Sequence, residues 1–305
     1  MNIEVLLTEA EISEEFAESF EARDLPEKFF YWSALSVQAW KDLAAESQSA
    51  LVETWRELAA KAPVLTQAFG PKVPVISFGA GDGSKDRLVL QALQKAGRDV
   101  RYFPVDASQT LLETACAGAE DDDCEATGIK ADISSPMHML LAADAAEAPR
   151  LLIMSGNTLG GFDPLDQVKH LADAMHPGDI LIIDAELDPG EEPVATPAQA
   201  KFSFAPLATL GLCMDDGEIR TKVKPDARKE GMTLLATRFH ANRDLTMSYA
   251  GRSASIVRGE RVFLNLRYLF TEEAFMWILT GHAELRVVAK LPSRDGRFLT
   301  TICIK

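Results

Sequence analysis

At 305 residues, with 47% hydrophobic and 25% charged side chains, the chain is long enough to bury a substantial core unaided and lies outside the composition of disordered proteins. Its 31 basic residues against 46 acidic ones leave a net charge of −15, a field that repels phosphate backbones and anionic lipid, so neither nucleic acid nor a membrane is an expected partner. Cys116, Cys124, Cys213 and Cys303 show no metal or disulfide spacing, the five histidines form no ligand motif, and no apolar run approaches the roughly 18 residues of a membrane span. A metal-free, cytoplasmic protein is expected, monomeric or a weak homo-oligomer, since the opening Met-Asn-Ile-Glu-Val has no signal-peptide character.

Residues 1–70 read as a helical segment. Glu11 to Phe20 is acidic and amphipathic, and Ser36 to Leu65 carries Trp40, Leu43, Leu51, Trp55 and Leu58 at helical intervals, a stripe expected to pack in the core. Gly70, Pro71 and Pro74 then punctuate the chain. Over 71–190, short apolar runs at Val75–Phe78, Val100–Val105, Ala126–Ala131, Leu151–Met154 and Ile180–Ile183 alternate with helix-like stretches. Runs without polar alternation suit strands buried on both faces of a parallel sheet. Gly79, Asp106, Asp132 and Asn157, which follow these runs, are about 26 residues apart, near the length of a βαβ unit. The rhythm predicts a doubly wound, Rossmann-like α/β sheet.

Beyond the Pro-rich stretch Asp188–Pro206 the rhythm breaks. Phe202–Leu212, Met232–Phe239, Thr246–Val257 and Arg261–Phe270 read as β-structure, giving a β-rich cover over 191–260. Residues 261–305, read as strands around a helix at Thr271–Thr280, are expected to complete the central sheet.

Ligands of such sheets sit at the carboxyl ends of the strands, beside the switch in strand order. There VISFGAGDGSKDR puts Gly79, Gly81 and Gly83 between a strand and a helix, where backbone amides can approach a ligand closely. The spacing is not that of a P-loop, and Ser84 stands where a dinucleotide fingerprint needs glycine, which disfavours a nicotinamide enzyme. Asp106 is placed to accept ribose hydroxyls or to cap the next helix; Asp132 is placed to receive an adenine amino group, with Ile133 against the ring, or to act as a cap. Glycine loop, acid and acid at the ends of successive strands point together to a nucleoside-bearing ligand.

These segments, in order from about residue 25 to residue 188, resemble the histidine-specific methyltransferase family. LPEKFFYWSALS, FGAGDGSKDR, FPVDAS, GIKADISSP and LLIMSGNTLGGFDP each have a counterpart there, and RYLFTEEAF is a weaker echo. The resemblance implies a class I methyltransferase fold and S-adenosylmethionine as methyl donor. It implies cofactor contacts at Gly79, Ala80, Gly81, Lys85, Asp106, Ala107, Asp132, Ile133, Ser155 and Gly156. Lys85 would bring a cation toward the methionine carboxylate. Ser77 departs from the acid that such enzymes commonly carry two residues before the first glycine.

The substrate positions depart further. Gly161 stands where the family has a substrate-gripping asparagine, with Asn157 four residues earlier, and Asn265 and Arg267 stand where the family reads an imidazole. Sites built to hydrogen-bond one polar substrate reject others. A small-molecule amine other than histidine is therefore the expected acceptor, with histidine methylation and cofactor binding without transfer as alternatives. Tyr31, Asn157, Gly161, Asn265, Arg267 and Tyr268 are the expected substrate contacts, and Glu186 is a candidate to attract a cationic amine. No general base is needed for an amine that arrives with a free lone pair.

Overall fold

A computed structural model describes residues 1–190, 196–249 and 251–305. Thirteen strands are described: β1 Asn2–Val5, β2 Lys72–Phe78, β3 Asp99–Asp106, β4 Glu125–Lys130, β5 Leu151–Met154, β6 Ile180–Glu186, β7 Gly217–Pro225, β8 Met232–Ala241, β9 Leu245–Tyr249, β10 Arg252–Ile256, β11 Arg261–Phe270, β12 Arg286–Pro292 and β13 Phe298–Ile304. Eight of them form the central sheet in the order β1-β4-β3-β2-β5-β6-β13-β12, with β1 to β6 parallel and the last two strands antiparallel. The chain winds outward from β2 to β3 and β4, then returns to β5 on the other side of β2. This reversal opens a crevice beyond the carboxyl ends of β2 and β5.

Alternation along the strands explains the layers. Val73 and Val75 face one side of the sheet, packed with Val89 and Leu93 of the helix Ser84–Lys95, whereas Ile76 and Phe78 face the other, packed with Met139, Val168 and Leu171. Each fully buried aliphatic or aromatic side chain contributes about 1.5–3 kcal/mol of transfer free energy. A third apolar cluster joins Ile12, Phe16, Phe29 and Phe30 of the N-terminal segment to Phe202, Phe204, Phe239 and Leu264. No helix among the described residues is long and apolar enough to cross a membrane.

Four expectations need correction. The N-terminal segment is not purely helical: β1 adds a parallel edge to β4. The apolar stripe beyond Ser36 is divided at Gln48 into helices Ala34–Ser47 and Ser49–Ala59. Leu51, Trp55 and Leu58 enter the core, while Trp40 and Leu43 face a cavity. Phe202–Leu212 is not a strand but belongs largely to the helix Pro197–Thr209. Thr196 caps it reciprocally with Gln199 and Pro197 occupies the first turn; burial of Phe202, Phe204, Ala205 and Leu207 leaves little periodicity to read. Finally, β11 does not complete the central sheet. It pairs with β8 in a separate antiparallel sheet of order β11-β8-β7, and only β12 and β13 extend the core.

Of the predicted cover, residues 191–195 and 250 lie outside the described residues. Within it, β9 and β10 form a two-stranded hairpin, which divides the single stretch expected over Thr246–Val257.

Candidate functional site

A cavity of about 300 Å³ lies at the crevice, a volume at the lower end of the range for small-molecule sites. Its floor is made by the strand ends. Gly79 and Gly81 adopt φ of 68° and 57°, and the crowding there leaves no space for side chains. A Cβ at Gly79 would meet Thr158 Cγ2 at 2.8 Å, and one at Gly81 would meet the Trp40 ring at 2.9 Å. The Gly81 amide donates to Asp106 Oδ2 at 3.0 Å, and the Ser108 amide to Asp106 Oδ1 at 2.9 Å. Burial pushes the Asp106 carboxyl up to about 6, with these backbone amides opposing the rise.

Asp132 differs from the open acid that its place at a strand end predicts. Its Oδ1 accepts from the Ser134 amide and hydroxyl at 2.8 and 2.6 Å, and its Oδ2 lies 2.5 Å from Lys28 Nζ, which also pairs with Glu15 at 2.7 Å. Burial pushes this carboxyl up, but Lys28 and the Ser134 donors outweigh it and hold the group below its usual value. Ile133 lies beside it on the cavity wall, and Lys85 Nζ donates to Gln48 Oε1 at 3.0 Å near Gly156.

The turn after β5 is held from below. Asp184, fully buried on β6, accepts the amides of Gly156 and Asn157 at 3.0 and 2.7 Å and the indole N–H of Trp55 at 3.0 Å. Burial raises its carboxyl above the usual range. Asn157, at φ 61°, accepts the Glu186 amide with its Oδ1 at 2.9 Å, so its side chain is engaged in shaping the turn.

The opposite wall comes from the N-terminal segment, the helix Pro197–Thr209 and β11. Tyr31 donates to Glu27 Oε1 at 3.1 Å, and burial pushes the Glu27 carboxyl up to about 8 despite that bond. Glu186 is not the open acid expected: Arg297 Nη2 lies 3.1 Å and Arg267 Nε 3.7 Å from its carboxylate. Two guanidinium groups on one acid leave this corner with net positive charge. Asn265 Nδ2 donates to Ser203 Oγ at 3.3 Å.

The cavity thus brings together all ten expected cofactor contacts and, of the expected substrate contacts, Tyr31, Asn157, Gly161, Asn265 and Arg267. Tyr268 is the exception. Strand alternation turns it away from the face of Asn265 and Arg267, and its hydroxyl donates to Asp226 at 2.9 Å and accepts from Lys229 at 3.1 Å in a partly buried cluster. Glu27, Lys28, Gln48 and Arg297 also line the cavity without having been singled out, as does Trp40, which was expected in the core. The segment LPEKFFY offered a signal for Lys28, whereas Glu27 stands at a position that the resemblance leaves open.

This fold is that of the class I S-adenosylmethionine-binding methyltransferases, and its crevice is lined by glycine-bearing turns, a buried acid at the end of β3 and an acid beside an apolar wall at the end of β4. The chain belongs to the histidine-specific, SAM-dependent methyltransferase family, whose sequence profile matches residues 9–195. A histidine N-alpha-methyltransferase of Mycolicibacterium smegmatis is 27% identical over 118 residues, covering 37% of this chain and 36% of that protein, so the match spans about a third of the relative. Among solved structures, a SAM-dependent methyltransferase of Clostridium acetobutylicum aligns over 87% of this chain and 98% of its own at 12% identity and a TM-score of 0.47. A sugar N-methyltransferase of Streptoalloteichus aligns over 86% and 89% at 14% identity and a TM-score of 0.42.

Proposed function

We propose that this protein transfers a methyl group from S-adenosylmethionine to the amine of a small, amino acid-like acceptor other than histidine. Family membership supports the cofactor. Gly79, Ala80, Gly81 and Ala107 would line the adenosyl group, Asp106 would accept its ribose hydroxyls, and Asp132 with Ile133 would flank the adenine. Lys85, Ser155 and Gly156 would hold the methionine end. The bound cofactor supplies an electrophilic methyl carbon on a sulfonium, so the residues around it have to align the acceptor nitrogen and exclude water.

The observation that carries the acceptor class is the polarity of one continuous cavity. One wall bears the Glu27 carboxyl and another the Arg267–Glu186–Arg297 cluster, a pairing of charge that complements an amine and a carboxylate on the same molecule. Arg267, standing where the resemblance leads to an imidazole-reading group, argues against histidine. The second reading, methylation of the histidine α-amine, is favoured by the family and by the activity named for the mycobacterial relative.

Isotope transfer decides between them. With methyl-labelled S-adenosylmethionine and a panel of carboxylate-bearing amines, kcat/KM for the best acceptor is expected to exceed that for L-histidine at least about tenfold, a difference of about 1.4 kcal/mol. Histidine as the best acceptor would establish the second reading. Cofactor binding without transfer to any amine would indicate a binding protein.

A further inference from the structure

The peptide around Glu27 is pinned before it reaches the cavity. The Phe263 amide donates to Arg23 O at 2.8 Å and the Leu25 amide to Phe263 O at 3.2 Å, after which Pro26 and the short helix Phe29–Trp32 turn the chain along the cavity wall. Gly161 faces Glu27 from the turn after β5. The φ of Gly161 lies outside the left-handed region, so its backbone does not demand glycine. A Cβ at 161 would lie 3.1 Å from both Cδ and Oε1 of Glu27, so that the carboxylate would have to give by a few tenths of an ångström. The side chain absent at 161 leaves the volume into which the Glu27 carboxylate fits.

That carboxylate has one neutral donor, Tyr31, and no ion-pair partner among the described residues. The cations around the cavity are turned elsewhere: Lys28 to Asp132 and Glu15, Lys85 to Gln48, Arg267 and Arg297 to Glu186. The ionised form of a buried acid without a counter-charge is costly, and a cation entering the cavity would offset that cost.

We propose that Glu27 binds the ammonium group of the acceptor and takes one of its protons ahead of methyl transfer. This rests on the N-methyltransferase reading above and adds to it the residue that prepares the nucleophile. In the step, an N–H bond of the ammonium breaks, the proton moves to a Glu27 oxygen and the electron pair stays on nitrogen. That lone pair then takes the methyl group. The proton leaves Glu27 for solvent, which accounts for the one proton released per ammonium methylated. Burial pushes the Glu27 carboxyl up to about 8, which brings its proton affinity closer to that of the ammonium it would face and so eases transfer of the proton between them. Its surroundings do not compete for the proton. The Tyr31 phenol is pushed well above its usual value by burial and remains a neutral donor, Asp106 titrates at about 6, and the other charged groups lining the cavity are paired or hydrogen-bonded as described.

The test uses the full chain, methyl-labelled S-adenosylmethionine and, as probes, the twenty proteinogenic L-amino acids and histamine. Glu27→Gln keeps the shape and the Tyr31 contact, and melting temperature and cofactor affinity by calorimetry should match those of the wild type. For whichever probe the wild type methylates best, Glu27→Gln is expected to lower kcat/KM about 100-fold at pH 7, the scale of general base catalysis. Near pH 9.5 the amine sheds its own proton, and the deficit should shrink to less than about fivefold, a rescue that damage to packing would not produce. A variant within about threefold of the wild type at pH 7, or one whose deficit is unchanged at high pH, overturns the role of Glu27 and leaves the methyltransferase reading standing. A wild type that labels no probe overturns both.

Discussion

Asp106 joins the first two strand-to-helix turns, because its two oxygens accept amides from the loop after β2 and from the start of the next helix. Asp106→Ala is expected to weaken cofactor binding by about 1.5–3 kcal/mol in calorimetry, the scale of hydrogen bonds to a charged group. The ionised form is the better acceptor for ribose hydroxyls, and the folded carboxyl titrates at about 6. Affinity in the wild type should therefore fall as pH drops through about 6, whereas Asp106→Asn should be flat across that window. Lys28 performs a comparable service for Asp132. Lys28→Met would leave a buried acid with only the Ser134 donors, an expected loss of about 2 kcal/mol in urea unfolding at pH 7. Because the Asp132 carboxyl is held below its usual value, this contribution is present above the unfolded value of about 3.9 and fades as pH falls below it. The gap between variant and wild type should accordingly narrow toward pH 3.

Between elements, the helix Ser49–Ala59 is tied to β6 by a polar contact in an apolar layer. Trp55 and Asp184 are both fully buried, and the same acid fixes the turn that carries Gly156 and Asn157. Trp55→Phe keeps most of the packing but removes a donor from an acid that burial already disfavours. A destabilisation of about 1–3 kcal/mol is expected in denaturant unfolding, with weaker cofactor binding as the turn loosens. The helix Pro197–Thr209 teaches a different lesson about elements. Thr196→Ala should lower stability by about 1 kcal/mol, read as a shift in the urea midpoint, because it removes the reciprocal cap with Gln199. The apolar run behind that cap reads equally well as a strand, since a helix buried on most of its sides and a buried strand have similar composition.

Across the whole molecule, the last strands are as necessary as the first. β13 inserts between β6 and β12, and its Phe298, Leu299, Ile302 and Cys303 are buried against both faces. A chain ending at residue 285 would lose these contacts and leave β6 as an unpaired edge, so it is expected to be largely insoluble when expressed, as measured by the soluble fraction beside the full chain. The cavity is likewise a property of the whole. Its floor belongs to the central sheet, while its walls come from a segment near residue 27, a helix near residue 200 and strand β11.

The sequence alone determined the doubly wound core, the glycine turns and the acids at the strand ends, because each is written locally, as a run of apolar residues closed by a particular small or acidic one. Where Asp132, Glu186 and Tyr268 find their partners was decided only by the tertiary structure. Glu186 meets Arg297 across 111 residues of chain, and Lys28 meets Asp132 across 104. Glu27 meets Gly161 in the same way, across the cavity. Contacts of this kind leave no periodicity in either partner, since neither segment's local conformation depends on the other; they exist only once the sheet has brought both to one edge.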